Sequence, residues 1–525
     1  MGRSVAAAAI LLALIPSAYL AWQSRDMPQL GYAHDDGMYW IAAKSLAEGS
    51  GYRIGSLPDA PYQTKYPPLF PLLLAGVWRA APEFPGNLRL ATLLTWLLAV
   101  VYVGASFMVL RGLGSGRKEA AALTAMVALS PWVALSSISL LSELPFSIAA
   151  FGALALIERA RKAGAPWWLA VAAGGVGGAA YLTRSAGIVL LVVGPLALAG
   201  ARRFKHAFLF AAAMLPAVAG WTLWTHWHRS GLTDPLTVYY TDYLGYYLRD
   251  FSVADLPLVV WQNLDSLASA TGSLFVFGLG DSLGGKTVAR LLAATAIAGV
   301  VRLGRRGGWK SYHLFAAAYA LLLLFWDFAS DQRFLIPVLP ILVAGLWAEL
   351  RNVLGVVGAA WRGGRLSRCA AAAAGVLLGA GLLAAAGRTV EAYGSALPRF
   401  VANQRATSAA SLPVYRWMDA NLPRDAKLLA YPDAVVYLRT GRRAYRFFVA
   451  PSVFYRVDRA ALNAALGSAT GLARSLGLSY AVVTPADPDI EIHGERSAAG
   501  ERLVSASLGL RLLYRSGGGA VYRIE

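Results

Sequence analysis

The chain has 525 residues, 57% of them hydrophobic and only 15% charged, with a formal net charge of +19 and a single cysteine. So large an apolar surplus excludes an ordinary soluble globular protein and points to a polytopic membrane protein. The lone Cys369 excludes an internal disulfide, and six scattered histidines give no zinc-ligand spacing.

Apolar runs of about 17 to 25 residues read as spanning helices. In chain order they fall at 4–22, 88–110, 120–136, 140–157, 167–183, 186–200, 207–227, 288–301, 311–327, 334–350 and 368–387, about eleven in all. The first is preceded by Arg3 and resembles a signal peptide, but the segment after it needs anchoring at the membrane, so an uncleaved helix is expected. Basic clusters at Arg111, Arg117 and Lys118, at Arg159, Arg161 and Lys162, at Arg202, Arg203 and Lys205, at Arg302 to Lys310, and at Arg351 to Arg368 fall on every second loop. Basic loops stay cytoplasmic, so this alternation predicts an inner amino terminus and an outer carboxy-terminal tail, and it explains much of the net charge without nucleic acid.

Between the first two windows lies a long external segment, 23–87. It carries His34-Asp35-Asp36-Gly37-Met38-Tyr39, and then a basic, proline-marked re-entry, Lys65-Tyr66-Pro67-Pro68-Leu69-Phe70-Pro71. Acids so close to a bilayer edge must lie in water or in a protein cavity. Two short helices are expected here, Asp36 to Glu48 ending at Gly49-Ser50-Gly51, and Pro68 to Ala80 dipping back toward the bilayer. Adjacent carboxylates cannot share a helix direction, so Asp35 and Asp36 divide labour: one faces a cavity as a general base or cation ligand, and the other caps the helix beginning at Gly37. Lys65, held by a stiff Tyr-Pro-Pro backbone, either snorkels to headgroups or meets a phosphate as a point charge. Glu143, at an outer helix start, reads as a partner of the helix amino terminus or as a ligand for a cation or sugar hydroxyls. A second external stretch, 228–287, is rich in tyrosine, and residues 239–247 are expected in a headgroup belt rather than stacked on a sugar.

After about Arg388 soluble-domain composition returns. Helix-like Val414 to Asn421, strand-like Lys427 to Tyr431 and Tyr480 to Thr484, and a hairpin around Gly517-Gly518-Gly519 predict a small α/β domain with a basic excess facing anionic lipid. The expected architecture is an all-α polytopic membrane protein of about eleven transmembrane helices with a small C-terminal external α/β domain, divided as 1–387 and 388–525.

These motifs resemble a family. Asp35-Asp36, Tyr39, Ala42, Leu46, Gly49, Gly51-Tyr52, Tyr66-Pro67-Pro68-Leu69 and Arg89-Leu90 together are similar to the first external loop of bacterial GT-C glycosyltransferases, the group of protein O-mannosyltransferases and lipid A aminoarabinose transferases. Ser142-Glu143-Leu144-Pro145, Leu182-Thr183-Arg184-Ser185 and Arg333-Phe334-Leu335-Ile336-Pro337 with Pro340 fit the same pattern. So do Trp417-Met418, Asn421-Leu422-Pro423 and Tyr437 to Arg442 in the tail. The resemblance implies transfer of a sugar from a polyprenyl-phosphate donor to a lipid, glycan or protein acceptor on the outer face of the cytoplasmic membrane. It also implies Asp35 as the catalytic base with Asp36 beside it, and Lys65, Arg184, Arg333, Glu143 and Tyr66 as the substrate and phosphate set. Inversion by a single in-line displacement is expected. No metal site is called for, and participation of a divalent cation stays open. The competing class is a transporter or flippase of a lipid-linked sugar, which would place charged or broken helices at mid-membrane.

Overall fold

The structure, a computed structural model, describes residues 3–362, 365–487, 489–492, 495–507 and 509–525. Each of the eleven apolar windows is helical. Among the described residues, however, six helices are long and apolar enough to cross a membrane alone: Val5–Gln23, Leu88–Leu113, Phe204–Trp227, Leu283–Gly307, Gln332–Trp361 and Leu366–Asn421. A seventh forms if Arg117–Ala128 and Pro131–Ser137, bent by 61°, are one span. The bend falls where Pro131 has no N–H to continue the ladder, which ends the first helix before it. The other windows are shorter or charged. Trp168–Thr183 has 16 residues, about 24 Å at 1.5 Å per residue against a hydrocarbon core of about 30 Å. Glu143–Ala160 carries Glu143, Glu158 and Arg159.

Small residues let the spanning helices approach closely, the usual device where lipid is as apolar as leucine. The Leu283–Gly307 and Gln332–Trp361 helices meet at Gly299 and Gly345, where a Cβ on either would collide with the facing backbone. The largest buried core runs through this bundle, from Tyr102, Phe151 and Phe210 to Phe315, Tyr319 and Phe334.

Leu366–Asn421 is one long helix of 56 residues with a π-helical turn at Ala392–Ala396, and the compositional change at 387–388 lies inside it. At about 84 Å it far exceeds the bilayer thickness, so it also serves as a stalk. It leads to a five-stranded sheet. Strands β1 (Leu428–Ala430), β2 (Ala444–Tyr445), β3 (Tyr480–Val483), β4 (Asp489–Ile492), β5 (Glu495–Ala498), β6 (Leu510–Ser516) and β7 (Gly519–Ile524) follow in the chain. The sheet order is β2-β1-β3-β7-β6, with β4 and β5 pairing separately. β1 lies parallel to β2 and β3, and β7 runs antiparallel to β3 and β6.

This sheet packs directly on the first long loop. The loop contributes two helices, Asp35–Ala47 and Leu69–Ala80, which share a buried core with the tail through Met38, Trp40, Trp78, Tyr445, Phe447 and Tyr522. The Ala444 N–H of β2 donates to the Ser56 carbonyl at 2.8 Å, and Arg443 donates to the Pro58 carbonyl at 2.9 Å. Gly31, at φ +91°, lies against Val435, so a side chain there would meet both strain and a collision. The tail is thereby a wall of the region that carries the acids.

Candidate active site

The acidic pair sits at the first turn of Asp35–Ala47, where negative charge favours the helix dipole. His34, just before it, is held at φ 58°, an unusual conformation for a non-glycine residue. What holds it comes from three segments: His34 Nε2 lies 3.2 Å from Asp433 Oδ1 of the tail, Ser56 of the first loop donates to Asp433 Oδ2 at 2.8 Å, and the Tyr240 hydroxyl of the second external stretch lies 3.1 Å from His34 Nδ1. Burial, followed by the Arg446 charge, pushes the His34 imidazole below its ordinary value. A neutral ring donating from Nε2 and accepting at Nδ1 satisfies both contacts.

Asp35 and Asp36 have different surroundings. Asp36 is 3% exposed. Its Oδ2 accepts from the Gly31 N–H at 3.0 Å and its Oδ1 from the Gly37 N–H at 2.8 Å. Both oxygens are thus committed to fixing the turn that presents Asp35. Burial raises its carboxyl to about 7 despite those two bonds. The Asp35 side chain remains 24% exposed. Its Oδ1 accepts from the Tyr66 hydroxyl at 2.6 Å and its Oδ2 lies 3.3 Å from Arg333 Nη2. Burial alone would raise this carboxyl, but Arg333, then Lys65, then the Tyr66 hydroxyl outweigh it and hold it at about 2.

Lys65 is placed by its neighbours in the loop. Gln63 Oε1 accepts from the Lys65 and Tyr66 N–H groups at 3.0 and 3.2 Å, and Trp224 donates to the Gln63 carbonyl at 3.0 Å. The Lys65 ammonium lies 3.5 Å from the Tyr239 ring centroid, 4.6 Å from Tyr243, 5.3 Å from Tyr240 and 5.4 Å from Tyr66. Tyrosine faces attract a cation without neutralising it. The expectation of a headgroup belt for residues 239–247 therefore needs correction: Tyr239 and Tyr240 are buried and turned inward on Lys65. Burial lowers the Lys65 ammonium to about 8 even with Asp327 and Asp35 raising it.

Arg333 and Arg184 share one aromatic ring, their guanidinium carbons 4.7 and 5.0 Å from the Phe334 centroid. Arg184 donates to Glu143 Oε1 and Ser142 Oγ, both at 3.0 Å, and Tyr39 donates to the same Ser142 hydroxyl at 2.9 Å. Glu143 is 1% exposed, so Arg184 is its charge partner inside protein. Arg333 lies between two carboxylates, Asp35 and, 3.7 Å from its Nε, Asp331, yet its hydrogen bonding is less complete. Its Nε and Nη1 are buried with no hydrogen-bond acceptor among the described residues.

The fold thus gathers Tyr66, Arg333 and Lys65 around the Asp35 carboxylate, with Arg184 adjacent through Phe334, Glu143 paired to it and Asp36 next to Asp35 in the chain. Sequence reasoning missed Asp327, whose Oδ1 accepts from Tyr243, and the tail residues Asp433, Tyr431 and Arg446. The only available signal for them was charge in an otherwise tyrosine-rich or apolar stretch. Chemically the cluster offers an ionised carboxylate beside two cations that lack their full complement of partners, an arrangement suited to a phosphate next to a proton acceptor. Among the described residues no three His, Cys, Asp or Glu side chains converge as a metal cage.

No family model and no curated protein matches the sequence. Solved structures do resemble the fold. ArnT from Cupriavidus metallidurans bound to undecaprenyl phosphate superposes with a TM-score of 0.53 at 16% identity, covering 98% of both chains. The archaeal oligosaccharyltransferase AglB from Archaeoglobus fulgidus, in complex with an inhibitory peptide and a dolichol-phosphate, superposes with a TM-score of 0.51 at 14% identity, covering 99% of this chain and 74% of its own. The chain has the fold of GT-C membrane glycosyltransferases.

Proposed function

We propose that this chain is an integral-membrane transferase that moves a sugar from a polyprenyl-phosphate donor to an acceptor hydroxyl or amine at the outer face of the cytoplasmic membrane. The observation that carries the reading is the un-ion-paired Lys65 ammonium and the unfilled Arg333 Nη1 donor beside Asp35. Buried cations are normally paired; Lys65 makes no ion pair among the described residues, and Arg333, though flanked by Asp35 and Asp331, keeps a buried Nη1 without an acceptor, so the pair has donor capacity for an anion from outside. A carrier phosphate fits, and the fold neighbours solved with undecaprenyl phosphate or a dolichol-phosphate make a lipid phosphate the natural choice.

In the proposed reaction the acceptor X–H gives its proton to Asp35 while its lone pair attacks the anomeric carbon. The bond from that carbon to the phosphate oxygen breaks, and the carrier phosphate departs with the electron pair toward Lys65 and Arg333. The configuration inverts. A carboxyl held at about 2 is a weak base in the empty site. Donor binding corrects this, because the phosphate draws Arg333 and Lys65 to itself and adds negative charge, both of which raise the proton affinity of Asp35. Donor binding and base activation are then one event. On this reading Tyr66 orients the base, Arg184 and Glu143 support the Phe334 platform under Arg333, and Asp36 holds the turn.

The test is native mass spectrometry of the purified full chain with undecaprenyl phosphate. Lys65→Met weakens binding by about tenfold or more, the loss of one charge-assisted contact. Unchanged affinity would remove the carrier phosphate from this cluster. Mass spectrometry of glycans and lipids from a deletion strain then identifies the sugar through the one that is lost.

A further inference from the structure

Beside the Lys65 cluster, on the tail side, lies a cavity of about 310 Å³. Its walls are Tyr239, Phe328, Tyr431, Phe448 and Tyr455, and its charge is Arg446. Arg446 differs from the arginines of the acidic cluster in its partners. Arg184 and Arg333 lie within ion-pair distance of a carboxylate, whereas Arg446 makes no ion pair among the described residues, Asp433 acting on it only from beyond that distance. Its hydrogen-bond partners are neutral phenols, Tyr431 and, at 3.5 Å, Tyr240, and its Nε is buried without an acceptor. The cavity also adjoins the reacting groups. Tyr239 faces Lys65 at 3.5 Å and packs on Phe448 at 4.9 Å, and Phe328 packs on Phe334, the ring shared by Arg184 and Arg333, at 5.5 Å.

We infer that this cavity is a subsite for an anionic saccharide, with its carboxylate or phosphate held by Arg446 and its ring faces stacked on the aromatic walls. The volume suits one sugar unit, being at the small end of ligand pockets at about 300 Å³ or more. The planar guanidinium suits bidentate pairing with a carboxylate or phosphate. That the ligand is a sugar rests on the transferase reading of the adjacent cluster; that it is anionic rests on Arg446 alone.

The experiment uses the full chain in phosphatidylcholine nanodiscs. Methyl glucuronide and methyl glucoside are titrated by saturation-transfer NMR, and undecaprenyl phosphate binding is measured on the same preparation. The expected result is that the glucuronide binds about tenfold more tightly, the effect of one charge-assisted pair. Arg446→Met should abolish that preference and Arg446→Lys keep part of it, with both variants still binding undecaprenyl phosphate as proof of folding. Equal affinities for the two sugars in the native protein, or a preference that survives Arg446→Met, would overturn the subsite. Glucuronide preference without undecaprenyl phosphate binding would instead refute the transferase reading and leave the subsite standing. Additive binding of the two ligands assigns the saccharide to the second substrate, and competition assigns it to the donor head.

Discussion

Replacing Arg333 with methionine separates the basicity of Asp35 from the rest of the site. Asp35 is lowered from an ordinary value of 3.8 to about 2, against burial, with Arg333 the leading cause of the lowering. At about 1.4 kcal/mol per tenfold in acidity the difference is on the order of 2 kcal/mol. Removing the guanidinium 3.3 Å away leaves burial opposed by Lys65, Tyr66 and, least, His34, so the carboxyl should climb to its ordinary value or above it. The assay is the pH dependence of kcat/KM for sugar transfer, which reports the free enzyme. The variant should lose activity overall because the phosphate loses a partner. The decisive feature is the position of the acid limb assigned to Asp35: in Arg333→Met it moves upward by about two units, to about pH 4 or higher, and Arg333→Lys moves it back. An acid limb at the same pH in both proteins would refute the claim that Arg333 sets the basicity of Asp35.

Asp36→Ala removes a buried acceptor of two backbone bonds, at about 1.5 to 3 kcal/mol each, so the thermal midpoint in detergent should fall clearly and the His34 turn should become protease-sensitive. Because burial raises the Asp36 carboxyl from 3.8 to about 7, its contribution to stability is complete below about pH 4 and is lost as pH rises through 7; Asp36→Ala should flatten that slope in a melting series. Lys65, lowered to about 8, should make undecaprenyl phosphate affinity decline as pH rises above 8, and Lys65→Arg should move that decline to higher pH. Gly299→Val drives a branched side chain into the Gly345 backbone and should cost several kcal/mol or abolish folded protein, read by size-exclusion yield, whereas exposed Gly375→Ala should be tolerated.

Much of the architecture was legible because lipid imposes long apolar runs, and these survive any choice of neighbours. The Leu88–Leu113 and Phe204–Trp227 helices follow the windows at 88–110 and 207–227 almost residue for residue. The number of crossings was less legible, because a run such as Trp168–Thr183 is apolar through Ala and Gly packed against Phe204–Trp227, which signals protein contact as well as lipid. In the site, Asp35, Lys65 and Arg333 carried local signals: adjacent acids, a Pro-Pro turn and an Arg at a helix mouth. Residues 239–247 misled because tyrosine is equally at home at a headgroup belt and around a buried cation, and only tertiary placement separates the two. Asp433 and Arg446 could not be read at all, since the contacts that give them meaning reach 399 and 206 residues back along the chain.

Asp35→Asn in the purified protein, assayed for sugar transfer alongside undecaprenyl phosphate binding, tests the central claim most directly. The substitution keeps the shape and an oxygen for Tyr66 but removes the proton acceptor. The account predicts folded protein that binds the carrier and transfers no sugar, whereas normal turnover by Asp35→Asn would contradict it.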